Sequence, residues 1–168
     1  MRRNLKPICL VTLLILALSL AACSLFEGTQ QRLSRELGLD LKRAELLEEQ
    51  GDHGAFGDGE EIVVLQVPED ARAVLEAQIR DNPDWRPLPM TEAMNEALYS
   101  EWPTFTRSSN GTHLFPEVRD GYYFFRNRQK DAEDPMEMDA IWGRASYNFT
   151  LALYDRESGK VYYYALDT

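Results

Sequence analysis

Two cysteines are all the chain has, and both fall within its first 23 residues, at Cys9 and Cys23. Residues 24–168 hold no thiol, which excludes an internal disulfide, a cysteine zinc site and a cysteine nucleophile there. Histidine is nearly as scarce, with only His53 and His113, and no His-Glu-x-x-His pair occurs. Basic residues are outnumbered, 18 against 28 acidic ones, a balance that argues against nucleic acid or a flat anionic lipid surface as partner. No apolar run reaches the roughly 20 residues of a comfortable spanning helix. No internal repeat is visible.

The first residues carry three positive charges, Arg2, Arg3 and Lys6, and no acid; an apolar run follows from Pro7 to Ala22. Positive flank, apolar middle and small residues at the end make up a secretory signal peptide. Its end, Leu20-Ala21-Ala22-Cys23, resembles the bacterial lipobox. That resemblance implies that the Cys23 sulfur takes a diacylglycerol and that a peptidase cuts before it. Residues 1–22 are thus expected to be the signal, 23–31 the lipidated cysteine and a short tether, and 32–168 one domain. A plain signal or an uncleaved anchor with an incidental cysteine is the alternative. The segment from Cys23 onward would have 15 basic and 28 acidic residues, a balance of −13. A solvated acidic surface accounts for this without a ligand. The expected location is the extracytoplasmic face of a membrane, with membrane lipid as partner through the anchor.

Along the domain, Leu33 and Leu37 spaced by four, with Gly38 behind them, predict a helix over 31–39. Residues 41–50 suit a helix by propensity and a strand by alternation. The β run Ile62-Val63-Val64-Leu65-Gln66-Val67 beyond a glycine-rich turn favours a strand. Pro68-Glu69-Asp70 open a helix to about Arg80, with Ala71, Val74, Leu75 and Ile79 as its apolar stripe. Trp85–Leu88 is a short extended piece. Thr91 caps a helix to Tyr99 with Met94 and Leu98 inward. Residues 102–116 are irregular. Strands are expected over 121–128, 146–154 and 160–166, the last two as a hairpin, with a polar acidic loop over 130–139. The fold class is α+β: a mostly antiparallel sheet of about five strands with two or three helices.

Few constellations could carry chemistry. Asp52, His53 and Asp58 lie within the glycine-rich segment Gly51–Gly59 and could hold a divalent cation. A turn in which the two aspartates bond the backbone explains the same residues. The acidic loop near Asp131 is a second cation candidate, and a solvated loop the alternative. Ser108, His113 and Asp120 make a triad only on paper, without a nucleophile elbow, so no catalytic residue is assigned. Seven tyrosines fall on three strands, and their alternation puts some on each face of the sheet. Tyr122, Tyr162 and Tyr164 are the candidate binding surface if that face is uncovered. Cross-strand packing is the alternative.

The lipobox, the run Asp52-His53-Gly54-Ala55-Phe56-Gly57-Asp58-Gly59, Gly121-Tyr122-Tyr123, Tyr147-Asn148-Phe149-Thr150 and the closing Leu166-Asp167-Thr168 together resemble a group of small lipoproteins of Gram-positive gut bacteria. No activity is assigned to that group. The resemblance covers most of the chain after Cys23 and implies an envelope location and this architecture. In the group a second histidine often follows the phenylalanine of the glycine turn; here Gly57 follows Phe56 directly. Three functions stay open: a non-catalytic binding or interaction domain with a protein partner in the envelope, a metal- or ligand-sensing domain using the glycine-rich turn, and a hydrolase.

Overall fold

The computed structural model describes residues 28–53, 58–100 and 115–168. Among these, helix α1 (Thr29–Leu37) leads into β1 (Glu45–His53) and β2 (Gly59–Gln66). Helix α2 (Glu69–Asp81), the short β3 (Trp85–Pro87) and α3 (Glu92–Tyr99) follow. The chain closes with β4 (Gly121–Asn127), a 3-10 turn over Met138–Ile141, β5 (Asn148–Asp155) and β6 (Lys160–Asp167). The strands form one antiparallel sheet in the order β1-β2-β6-β5-β4-β3. The class is α+β, and the described residues give six strands because the extended piece at Trp85 joins the edge of β4.

Local signals place the helices. Thr91 accepts the Met94 amide at 3.4 Å, capping α3 as its side-chain chemistry dictates. Glu69 and Asp70 occupy the first turn of α2, where the helix dipole favours acids. Gly38 ends α1, its amide donating to the Ser34 carbonyl. At the β5–β6 hairpin the chain turns through Gly159 at φ +69°, a conformation that side chains resist.

Alternation along the strands builds two cores, one on each face. On the first face, Val63, Leu65, Phe124, Ala152, Tyr154, Val161 and Tyr163 pack under Leu33 and Leu37 of α1 and Leu75 and Ile79 of α2. On the second, Ile62, Val64, Phe125, Phe149, Leu151, Leu153, Tyr162 and Tyr164 pack under Met94 and Leu98 of α3, Phe115, Met138 and Ile141. Each aliphatic side chain so buried contributes about 1.5–3 kcal/mol. The stretch expected to be a polar loop over 130–139 is therefore anchored: Met138 and Ile141 drive its end into the second core.

Helix α1 crosses the sheet from one edge toward the other. Thr29 Oγ1 donates to Glu49 of β1 at 2.8 Å. One turn on, Arg32 makes a two-pronged ion pair with Glu61 of β2. Glu36 accepts from Tyr163 of β6 and Thr150 of β5, and the Leu37 carbonyl accepts from the Trp85 indole of β3 at 3.0 Å. The N-terminal end of α1 thus lies beside β1.

Candidate functional site

Tyr122, Tyr162 and Tyr164, the candidate binding surface, do not form one among the described residues, and cross-strand packing accounts for them. Tyr162 and Tyr164 are only 7% and 1% exposed, because α3, Phe115 and the 3-10 turn cover that face. Phe115 meets both rings edge-on with centroids 5.9 Å apart. Tyr122 lies on the opposite face, register partner of Tyr154, and is half-buried against the first core. The three tyrosines therefore share no surface; the aromatic ladders pack the two cores instead.

The glycine-rich segment also differs from its expected form. The backbone continues as strand through Gly51, Asp52 and His53, with Asp52 opposite Glu60 and His53 opposite Gly59. Gly51 is thus a strand residue. Asp58 is exposed. The side chains of Asp52 and His53, and residues 54–57, lie outside the described residues, and so does the three-residue cation site as a whole. Among the described residues no group of three or more His, Cys, Asp and Glu could hold a metal ion. In the acidic loop, Arg144 donates to Asp131 at 2.8 Å. That hydrogen bond holds the Asp131 carboxyl below its usual range. Of the paper triad, Ser108 and His113 lie outside the described residues, and Asp120 accepts from Arg156 at 3.3 Å.

The most developed polar cluster lies under α1. Glu36 accepts from the Tyr163 hydroxyl with both carboxylate oxygens, at 3.1 and 3.0 Å, and from Thr150 Oγ1 at 2.9 Å. Thr150 is fully buried and Tyr163 nearly so. The Arg32 guanidinium stands over the Tyr163 ring, 5.8 Å from its centroid. Burial first, then the Glu36 and Glu61 carboxylates, push the Tyr163 phenol well above its ordinary pKa. The hydroxyls donate and the carboxylate accepts, so the cluster satisfies itself and fastens helix to sheet. Replacing Glu36 with Ala leaves two buried hydroxyls without their acceptor, an expected cost of about 2 kcal/mol. Glu36→Gln, which keeps one acceptor, is expected to lose less, and urea midpoints of the two variants check the order. Sequence patterning finds Leu33 and Leu37 on this helix but not Glu36, since a single glutamate on a helix looks like a solvated one.

The strand edge at β1 is the other distinctive feature. Every residue from Glu45 to Gly51 is exposed, including Leu46 and Leu47 at 36% and 46%. A register shift between Leu46 and Glu48 leaves Leu47 as an extra residue in the strand. On one face of the sheet lie Glu48 and Gln50, on the other Leu46 and Glu49, with Glu45 at the strand's start. A shallow hollow lined by Gln50, Gly51, Glu60 and Ile62 opens beside it. Among the described residues, no strand pairs with β1 on its outer side and no ion pair involves Glu45, Glu48 or Glu49. Such an arrangement offers backbone donors and acceptors flanked by negative charge, and no reacting group. No protein-family model matches the chain, and neither a curated protein nor a solved structure does.

Proposed function

We propose that this chain is a lipid-anchored, extracytoplasmic protein whose folded part is a non-catalytic interaction domain. The observation that carries the reading is the short span between Cys23 and the fold. Helix α1 starts at Thr29, so the intervening residues reach at most about 20 Å when fully extended. A diacylglycerol on Cys23 would hold the β1 side of the sheet close to a bilayer. The surface hollow lined by Gln31, Ser34, Arg35 and Lys42 is open and polar, without the convergent acid, base and nucleophile that a hydrolase needs.

Replacing Cys23 with Ala is expected to abolish lipid labelling in cells grown with a radiolabelled fatty acid, and to leave the leader uncut. Normal labelling of that variant refutes the anchor. For the domain, crosslinking on intact cells compares the full chain with a version that keeps residues 1–31 alone. A reproducible protein neighbour captured by the full chain and not by the truncated one is the expected result. Substrate turnover by the purified protein in a hydrolase panel, lost in Asp120→Ala, would refute the non-catalytic reading.

A further inference from the structure

We infer that β1 is a docking edge that accepts an extended, lysine- or arginine-bearing segment of another protein by strand addition. The inference rests on the interaction-domain reading and names the surface and the partner chemistry within it. Seven consecutive exposed residues, Glu45–Gly51, make an edge longer than the average strand of about five to six residues. Backbone pairing along such an edge supplies affinity, and side chains at alternate positions supply selection.

Charge decides the occupant. A strand added outside β1 places its side chains next to Glu45, Glu48 and Gln50 on one face and Leu46 and Glu49 on the other. Like charges directly opposite one another are destabilising in a sheet. An acidic strand is refused on both faces. A second copy of this chain is refused for the same reason, since pairing two β1 edges brings two glutamate rows together. Anionic lipid is refused too. A strand with basic residues on both faces and an aliphatic one near Leu46 and Leu47 meets complementary groups throughout. Edge charges and a bulge guard natural sheets against indiscriminate pairing. Here the same glutamates act as the selector, admitting a cation-bearing strand and excluding the others. The position of the edge fits a partner at the membrane: Glu49, midway along β1, holds Thr29 at the start of α1.

The test uses the full-length protein, purified from membranes and placed in phosphatidylcholine nanodiscs. The probe is a short peptide of lysine pairs separated by single valines, which presents lysine on both faces when extended, and its control has glutamate in place of lysine. Expected results are saturable binding of the lysine peptide only, and slowed hydrogen exchange at the amides of 45–51. Binding should weaken at least about tenfold in Glu48→Lys/Glu49→Lys and fall with added salt. Both substitutions are on exposed side chains, and an unchanged thermal melt checks that the variant folds. Equal binding of the two peptides, no binding, or binding untouched by the charge reversal overturns the inference. Exchange protection that grows with protein concentration in the absence of peptide also overturns it, in favour of self-pairing. Photocrosslinkers at Leu47 and at Val74, which is 61% exposed on α2, separate the inference from the reading beneath it. Capture in cells from Leu47, competed by the lysine peptide, supports both. Capture from Val74 alone removes the docking edge and leaves an interaction domain. Capture from neither removes both.

Discussion

Gly121→Ala is expected to abolish the native fold, or to lower its stability by at least about 4 kcal/mol, a size reserved for a few severe mechanisms. A methyl group built on Gly121 would lie 1.9 Å from the Tyr154 carbonyl oxygen and 3.0 Å from its carbon. Both atoms are backbone, so no rotamer change relieves the overlap; strand β4 or β5 must move. Movement there is costly on every side. Gly121 pairs with Asp155, the Gly121 carbonyl accepts the Leu88 amide at 3.1 Å, and Asp120 accepts the Arg156 amide next door. Tyr154 itself is fully buried and cannot shift without opening the first core. Gly159→Ala is the matched comparison. Its φ of +69° imposes strain of about 1 kcal/mol on a side chain. The overlap that an alanine there would meet is with the Arg72 guanidinium, 2.2 Å away. That group ends a long flexible side chain and can swing aside, so the expected loss is about 1–2 kcal/mol. Urea denaturation of the two variants gives the answer: a folded Gly121→Ala as stable as Gly159→Ala contradicts the packing described for β4 and β5.

The same two glycines show how much of the fold is legible in sequence. Gly159 sits between two alternating tyrosine-rich runs, and a turn residue at that place is what hairpin chemistry asks for. Gly121 opens a strand pattern and announces nothing, because its reason is a carbonyl thirty-three residues later. The helices were legible for a similar reason: the spacing of Leu33 and Leu37, the acids after Pro68 and the Thr91 cap are all local facts. The second face of the sheet was not. Alternation says that Tyr162 and Tyr164 share a face, but whether a helix covers that face depends on where α3 and Phe115 go, and no short-range pattern encodes it. Hence a sheet with aromatics on both faces fitted equally a recognition surface and a core. Nor was Trp85–Pro87 legible as an edge strand, since three residues are too few to show a period. The candidate site was legible only in part. The acidic character of 45–52 is plain in the sequence, whereas its place at the outer edge of the sheet follows from strand order, which is a property of the whole chain.

Raising the pH from 8 to 11 is expected to remove at least about 4 kcal/mol of stability, through buried tyrosines. Tyr154, Tyr163 and Tyr164 are fully or almost fully buried, and each donates its hydroxyl to a glutamate: Glu76, Glu36 and Glu60 respectively. Burial first, and then the neighbouring carboxylate, raise all three phenols, Tyr154 up to about 12 and the other two further. In the unfolded chain each ionises near its ordinary value of about 10. A group whose folded pKa is raised contributes its full stability below the unfolded value. That contribution drains away as pH rises toward the folded one, because the unfolded state sheds the proton first. At pH 11 each such tyrosine has lost about 1.4 kcal/mol, one pKa unit's worth, so the three together remove a large part of a typical domain stability of about 5–15 kcal/mol. Two measurements check the claim together. Urea midpoints at pH 8, 10 and 11 should fall steeply above 10, and tyrosinate absorbance should appear in two stages, the second coinciding with loss of structure. Tyr154→Phe removes one of these protons and should reduce the fall by about 1.4 kcal/mol, even though the variant is less stable at pH 8 for want of its bond to Glu76. A stability that stays within about 1 kcal/mol between pH 8 and 11 would mean that the hydroxyls reach water, and that the two cores are not closed over them.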